Sequence, residues 1–124
     1  MKEEPKKFSL STRAASFRYA FNGLKTLLQS EHNAWIHLAA AILVICLGFC
    51  LKISSGEWIA ICFAIGFVFS MEIINTAIEK LCDFVSVEKH LLIKQIKDLA
   101  AAAVLVAAIT ALAIGLIIFI PKVF

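Results

Sequence analysis

Glu72, Asn75, Glu79 and Asp83 follow one another at spacings of three, four and four. On an α-helix these positions share one stripe, within roughly 80° of each other. Ile73, Ile74, Ala77, Ile78 and Leu81 cover the remaining faces, and the stripe ends an apolar run that begins near Trp58. An acidic side chain at membrane depth costs about 3 kcal/mol or more, so such groups face a bundle interior or a polar cavity. Two Glu, one Asn and one Asp in a row can hold a cation and move a proton.

The elements that must position this stripe are membrane helices. Of 124 residues, 61% are hydrophobic, and the mean hydropathy is +0.91, well beyond a soluble domain. The expected fold is an all-α membrane protein, one domain over 1–124, with three transmembrane helices and an N-terminal amphipathic surface helix. The surface helix is expected over 8–29, where Phe17, Tyr19, Phe21, Leu24 and Leu28 are interleaved with Arg13, Arg18 and Lys25. Ser11 or Thr12 can cap it. After a polar interruption at 29–33, spans are expected at about 34–51, 58–81 and 99–120, each long enough for the hydrocarbon layer. Ser54, Ser55 and Gly56 mark a tight turn between the first two spans. The stretch 83–98 reads as a charged loop, and Pro121 reads as the stop of the last span. Cys46, Cys50, Cys62 and Cys82 lie in or beside apolar segments and behave as small hydrophobes. No cleavable signal peptide is expected, because the first thirty residues lack a continuous apolar core.

Basic residues set the orientation. Ten of the twelve precede the first span or lie between spans two and three; only Lys52 and Lys122 fall on the other side. The positive-inside rule then places the amino terminus and the second loop in the cytoplasm, for a multi-pass protein of the cytoplasmic (inner) membrane. Glu31, Glu72, Glu79, Asp83, Lys97 and Asp98 fall on that same side, where nucleotide and Mg²⁺ are available.

Antiparallel first and second spans would bring Glu31 and Glu79 to similar depth. Such a pair suits Mg²⁺, which takes one or two protein carboxylates and completes its shell with phosphates and water. Glu72 lies two turns deeper, about 10 Å along the axis. A poorly hydrated carboxylate is a stronger base than a solvated one, and this depth matches a lipid hydroxyl at headgroup level. Lys97 can neutralise phosphate charge. Each residue also has a structural reading: Lys97 as a topology-setting lysine, Asp83 as a solvated helix end, Asn75 as a helix–helix partner, His37 as a group bonded within the bundle or at the interface. There is no P-loop and no kinase-type glycine loop, so periodicity alone reaches a carboxylate site but not ATP. It also leaves open a non-enzymatic membrane subunit with an intramembrane proton or cation site. Against that rival, 58–69 has no ionisable residue and the third span offers only Thr110, so the polar groups collect at one side. No nucleic-acid partner is expected.

Tyr19-Ala-Phe-Asn-Gly23, Glu31-His-Asn33, Glu72-Ile-Ile-Asn-Thr-Ala-Ile-Glu79 and Lys97-Asp98 ahead of an Ala-rich helix resemble the prokaryotic diacylglycerol kinase family, which includes undecaprenol kinases. The similarity runs from about Arg13 to the end. It implies a homotrimer with sites shared between subunits, and transfer of the γ-phosphoryl of ATP, with Mg²⁺, to a lipid alcohol. Carried over by position, Glu72 is the catalytic base and part of the lipid site, and Glu31 and Glu79 are the metal pair. Arg13, Tyr19, Glu31, Asn75, Glu79, Glu88, His90, Lys97 and Asp98 match nucleotide contacts. The chain departs from the family at Lys94, where relatives often carry Gly, and at Trp35, where many carry a basic residue. Asn33 and His37 look more like the undecaprenol-kinase branch.

Overall fold

In the computed structural model, which describes residues 3–5, 7–85 and 90–124, four helices account for the architecture. They are α1 (Leu10–Ser30), α2 (His32–Cys50), α3 (Ser55–Val85) and α4 (Leu91–Val123), with no strand among the described residues. The last three are long and apolar enough to cross a membrane. The fold is all-helical, as the composition requires, and the chain is a multi-pass membrane protein.

The helix ends differ from the expected bounds, each for a local reason. Ser9, not Ser11 or Thr12, caps α1: its backbone is extended and its Oγ accepts from Thr12 N–H at 3.5 Å. The polar stretch 29–33 interrupts the helix for one residue only. Glu31 adopts φ −120°, ψ 114° and so ends α1 and begins α2. The corner is pinned by Trp35, whose Nε1 donates to Leu28 O at 2.7 Å, one of the carbonyls a helix terminus leaves free.

Between α2 and α3, Lys52 takes the left-handed conformation at φ 50°. Ser54 and Glu57 then form a reciprocal cap: Glu57 N–H donates to Ser54 Oγ at 3.2 Å, and Ser54 N–H donates to Glu57 Oε1 at 2.9 Å. This capping box draws the residues read as turn into the first turn of α3.

The expected loop over 83–98 is largely helix. α3 runs to Val85 and α4 starts at Leu91, because Lys94 and Asp98 sit four apart and pair at 2.7 Å along one helix face. Nor does Pro121 end α4, which continues to Val123. Proline removes one donor there, but Phe124 N–H still reaches Ile120 O at 3.0 Å.

α4 packs along α3 more extensively than any other pair of helices. An apolar cluster of Ile53, Ile61 and Ile118, flanked by Val44, Trp58 and Phe119, closes the end near the α2–α3 turn. Gly48 allows this: a Cβ there would meet the Trp58 ring at 2.6 Å. At the same end Lys122 Nζ pairs with Glu57 Oε1 at 3.1 Å. The opposite end, where α1 meets α2 and α3 meets α4, holds the polar residues.

Candidate active site

The stripe forms because α3 stays helical through its last turns and sets Glu72, Asn75 and Glu79 on one face. Glu72 is 1% exposed and is the largest fully buried side chain. Asn75 and Thr76 are buried beside it. Asn75 Nδ2 donates to Glu79 Oε1 at 3.2 Å, which orients the amide and leaves Asn75 Oδ1 free. From α2, His37 Nε2 comes within 3.0 Å of Glu72 Oε1. The separation is that of an ion pair, but the ring N–H is not aligned on the oxygen. Glu72 Oε1, Asn75 Oδ1 and Thr76 Oγ1 are therefore buried without a hydrogen-bond partner among the described residues. Three such atoms within about one helical turn are costly in a finished core and mark a place built for a ligand.

Glu31 comes to the same end from the α1–α2 corner. Its carboxyl shares a hydrogen bond with Glu79, and it feels the charges of Glu72 and Lys80. Loss of hydration, then the hydrogen bond and charge of Glu79, push its pKa above the ordinary 4.5. Two half-buried carboxylates brought this close are chemically fitted to hold a divalent cation. Mg²⁺ needs little more from protein when phosphates and water supply the rest of its shell. Among the described residues no group of three His, Cys, Asp or Glu converges as a ready-made metal cage.

Across the α3–α4 connection, Lys97 Nζ pairs with Asp83 Oδ1 at 2.6 Å. Asp98 is taken by Lys94. His90 is exposed at the start of α4 and makes no side-chain cap.

The family model for prokaryotic diacylglycerol kinase matches residues 18–119. The chain belongs to the prokaryotic diacylglycerol kinase family. It is 43% identical over 107 residues to an undecaprenol kinase of Bacillus subtilis, covering 86% of this chain and 87% of that protein. A diacylglycerol kinase of Synechocystis is 34% identical, over 86% of this chain and 61% of its own length. One of Helicobacter pylori is 31% identical, over 80% and 83%. This is a membrane lipid kinase, and the non-enzymatic alternative is set aside.

Within this kinase the site residues named from sequence divide into two groups. Glu31, Glu72, Asn75 and Glu79 come together at one end of the bundle, with Lys97 close enough to Glu79 for their charges to interact. Arg13 and Tyr19 do not join them in one copy of the chain. They lie eighteen and twelve residues before Glu31 on the straight run of α1, about 27 and 18 Å along its axis. Arg13 instead stacks on Phe8 at 5.2 Å. Glu88 lies outside the described residues. Sequence reasoning missed Thr76, although it falls next to Asn75 within the matching motif. His37, read as a group bonded within the bundle or at the interface, does meet α3 inside the bundle; that its partner is Glu72 depends on the register of α2 on α3, which has no signature in the chain.

Proposed function

We propose that this kinase transfers the γ-phosphoryl of Mg·ATP to the hydroxyl of a membrane lipid alcohol at the cytoplasmic face of the inner membrane. The observation that carries the reading is Glu72: a carboxylate fully buried late in an apolar helix, two turns deeper than the half-buried Glu79 and its neighbour Glu31. Water-borne nucleotide and an oily acceptor can meet only across such a depth difference. Undecaprenol is the acceptor of first choice, giving undecaprenyl phosphate, because the relative at 43% identity carries that name. Those named for diacylglycerol, whose product would be phosphatidic acid, share 34% and 31%.

In this reading Glu31 and Glu79 hold Mg²⁺. Bound there with ATP, it supplies charge neutralisation at the phosphates. Asn75, tied to Glu79 through one Nδ2 hydrogen, has the other to donate to an oxygen of the arriving γ-phosphate. Lys97 exchanges Asp83 for phosphate oxygen. Glu72 accepts the hydroxyl proton as the lipid oxygen bonds to γ-phosphorus. The bond from phosphorus to the bridging oxygen breaks, leaving its electron pair on ADP. The exposed apolar residues of α1, Phe17, Phe21 and Leu24 among them, together with Arg13, Arg18 and Lys25, suit a helix lying at the inner leaflet. A homotrimer would let Arg13 and Tyr19 of one subunit reach the site of the next.

The test is a purified-protein assay with labelled ATP, presenting undecaprenol and diacylglycerol in matched bilayers. Lipid-dependent, Mg²⁺-dependent phosphorylation that disappears in Glu72→Gln is expected. Near wild-type turnover in that variant refutes the assignment.

A further inference from the structure

The contact between His37 and Glu72 is not used by any step above. His37 sits in the second turn of α2, and its ring faces two environments. Nε2 lies 3.0 Å from Glu72 Oε1. Its other face lines an apolar cavity of about 360 Å³ between α2, α3 and α4, walled by residues such as Val44, Ile61, Ala64, Val68 and Phe119. Among the residues described around that cavity, His37 is the one polar side chain. Nothing on the cavity side competes for its ring nitrogen, so Glu72 is the natural partner.

A glutamate carboxylate turns easily about its last torsion, whose preference is broad and roughly two-fold. Left alone, Glu72 would present either oxygen, or neither, to an incoming hydroxyl. We propose that His37 is a positioning residue for Glu72: it holds the carboxylate at Oε1 and so fixes the orientation in which Glu72 meets the lipid hydroxyl. This rests on Glu72 being the base. An imidazole suits the task because its neutral form offers one N–H without burying a second permanent charge, as Lys or Arg would. The imperfect alignment is that of a pair awaiting substrate, since catalytic hydrogen bonds commonly tighten only when substrate is bound. With the carboxylate held, the hydroxyl proton passes to Glu72 as the lipid oxygen bonds to phosphorus and ADP departs with the electron pair of the broken bond.

The experiment uses full-length protein in bilayers with Mg·ATP and undecaprenol. His37→Leu, which suits the apolar cavity, is expected to lower kcat by about 10- to 100-fold, the scale of a misplaced catalytic group. Both KM values should stay within about threefold, the mark of a change felt in the chemical step rather than in substrate binding. His37→Gln retains an N–H donor and should recover most of the loss. Independently, the ring ¹⁵N signals of the three histidines are read in the ligand-free protein. The His37 signal, assigned by its disappearance in His37→Gln, is expected to move in Glu72→Gln. Unchanged kcat in His37→Leu, a loss confined to the lipid KM, no recovery with Gln, or a His37 signal indifferent to Glu72→Gln each overturns the proposal. If His37→Leu does not fold, the Gln variant and the ¹⁵N signal decide. An inactive Glu72→Gln beside a fully active His37→Leu sinks this inference alone, whereas an active Glu72→Gln sinks the base assignment beneath it.

Discussion

Lys97 reaches back across the α3–α4 connection to Asp83, Nζ to Oδ1 2.6 Å. The lysine proposed to meet phosphate is thus already engaged, by a carboxylate at the end of the stripe. Both side chains remain partly or largely exposed, and such pairs are weak. A polyphosphate, with more charge and more acceptor oxygens, can displace Asp83. Asp83→Asn is therefore expected to lower the KM for Mg·ATP by about two- to fivefold, the range open to an exposed pair. Lys97→Ala should raise it. Steady-state kinetics at saturating lipid decide, and an equal rise in KM for both variants would show that the pair acts as one unit.

Glu31 provides a pH test. Desolvation, and then the hydrogen bond and charge of Glu79, hold its proton above the ordinary 4.5. The folded chain therefore binds this proton more tightly than the unfolded chain does. The associated stability is fully present below about 4.5 and is lost as pH rises through the raised value. In Mg²⁺-free detergent solution the melting temperature should fall across that window, and Glu31→Gln should flatten the decline. Mg²⁺, by offsetting the repulsion between the two carboxylates, should stabilise the protein most at the upper end of the window, where the Glu31 carboxyl is ionised. A metal effect independent of pH in the wild type would count against the carboxylate pair as the binding place.

The stripe on α3 is legible in the chain because helical geometry converts spacing into direction without help from any neighbour. Helix ends are less legible because charge imitates a loop. Lys94, Lys97 and Asp98 look like loop composition until Lys94 and Asp98 are seen as an (i, i+4) pair, and Ser54 and Glu57 look like a turn until they are seen as a cap. The contact of His37 with Glu72 lies beyond sequence, since it depends on how far α2 slides along α3. That register is set by the packing of Ile53, Trp58 and Gly48 at the far end. The distance of Arg13 and Tyr19 from the carboxylates has the same character: α1 is legible as a helix, but its placement against α2 and α3 is not.

Gly48 carries the close approach of α2 to the start of α3. A Cβ there would lie 2.6 Å from Trp58 Cη2 and 3.1 Å from Ile53 Cδ1, so the ring must move. The ring is already held against Phe49, with centroids 4.8 Å apart. Gly48→Ala is expected to destabilise by about 1–3 kcal/mol, the usual cost of overpacking. Combined with Trp58→Leu, it should cost much less than the sum of the two single changes, because the clash partner is gone. Thermal or denaturant unfolding of the four proteins of this cycle in one detergent measures the coupling. Additive effects would mean that the α2–α3 corner yields elsewhere.

Thr76 sets stability against activity. Its Oγ1 is buried without a partner among the described residues, as is Oδ1 of the preceding residue, Asn75. A hydroxyl in that state carries its desolvation cost with no return while the site is empty. Thr76→Val keeps the shape and removes the polar atom, so the ligand-free protein should gain about 1 kcal/mol. If the hydroxyl meets phosphate when nucleotide binds, the same change removes that bond and lowers kcat/KM for Mg·ATP by about 5- to 10-fold, the worth of one hydrogen bond. Unfolding measured with and without Mg·ATP separates the two effects: the variant should be the more stable protein alone and gain less from nucleotide. A variant that is less stable alone would place the hydroxyl in the packing of α3 rather than in the site.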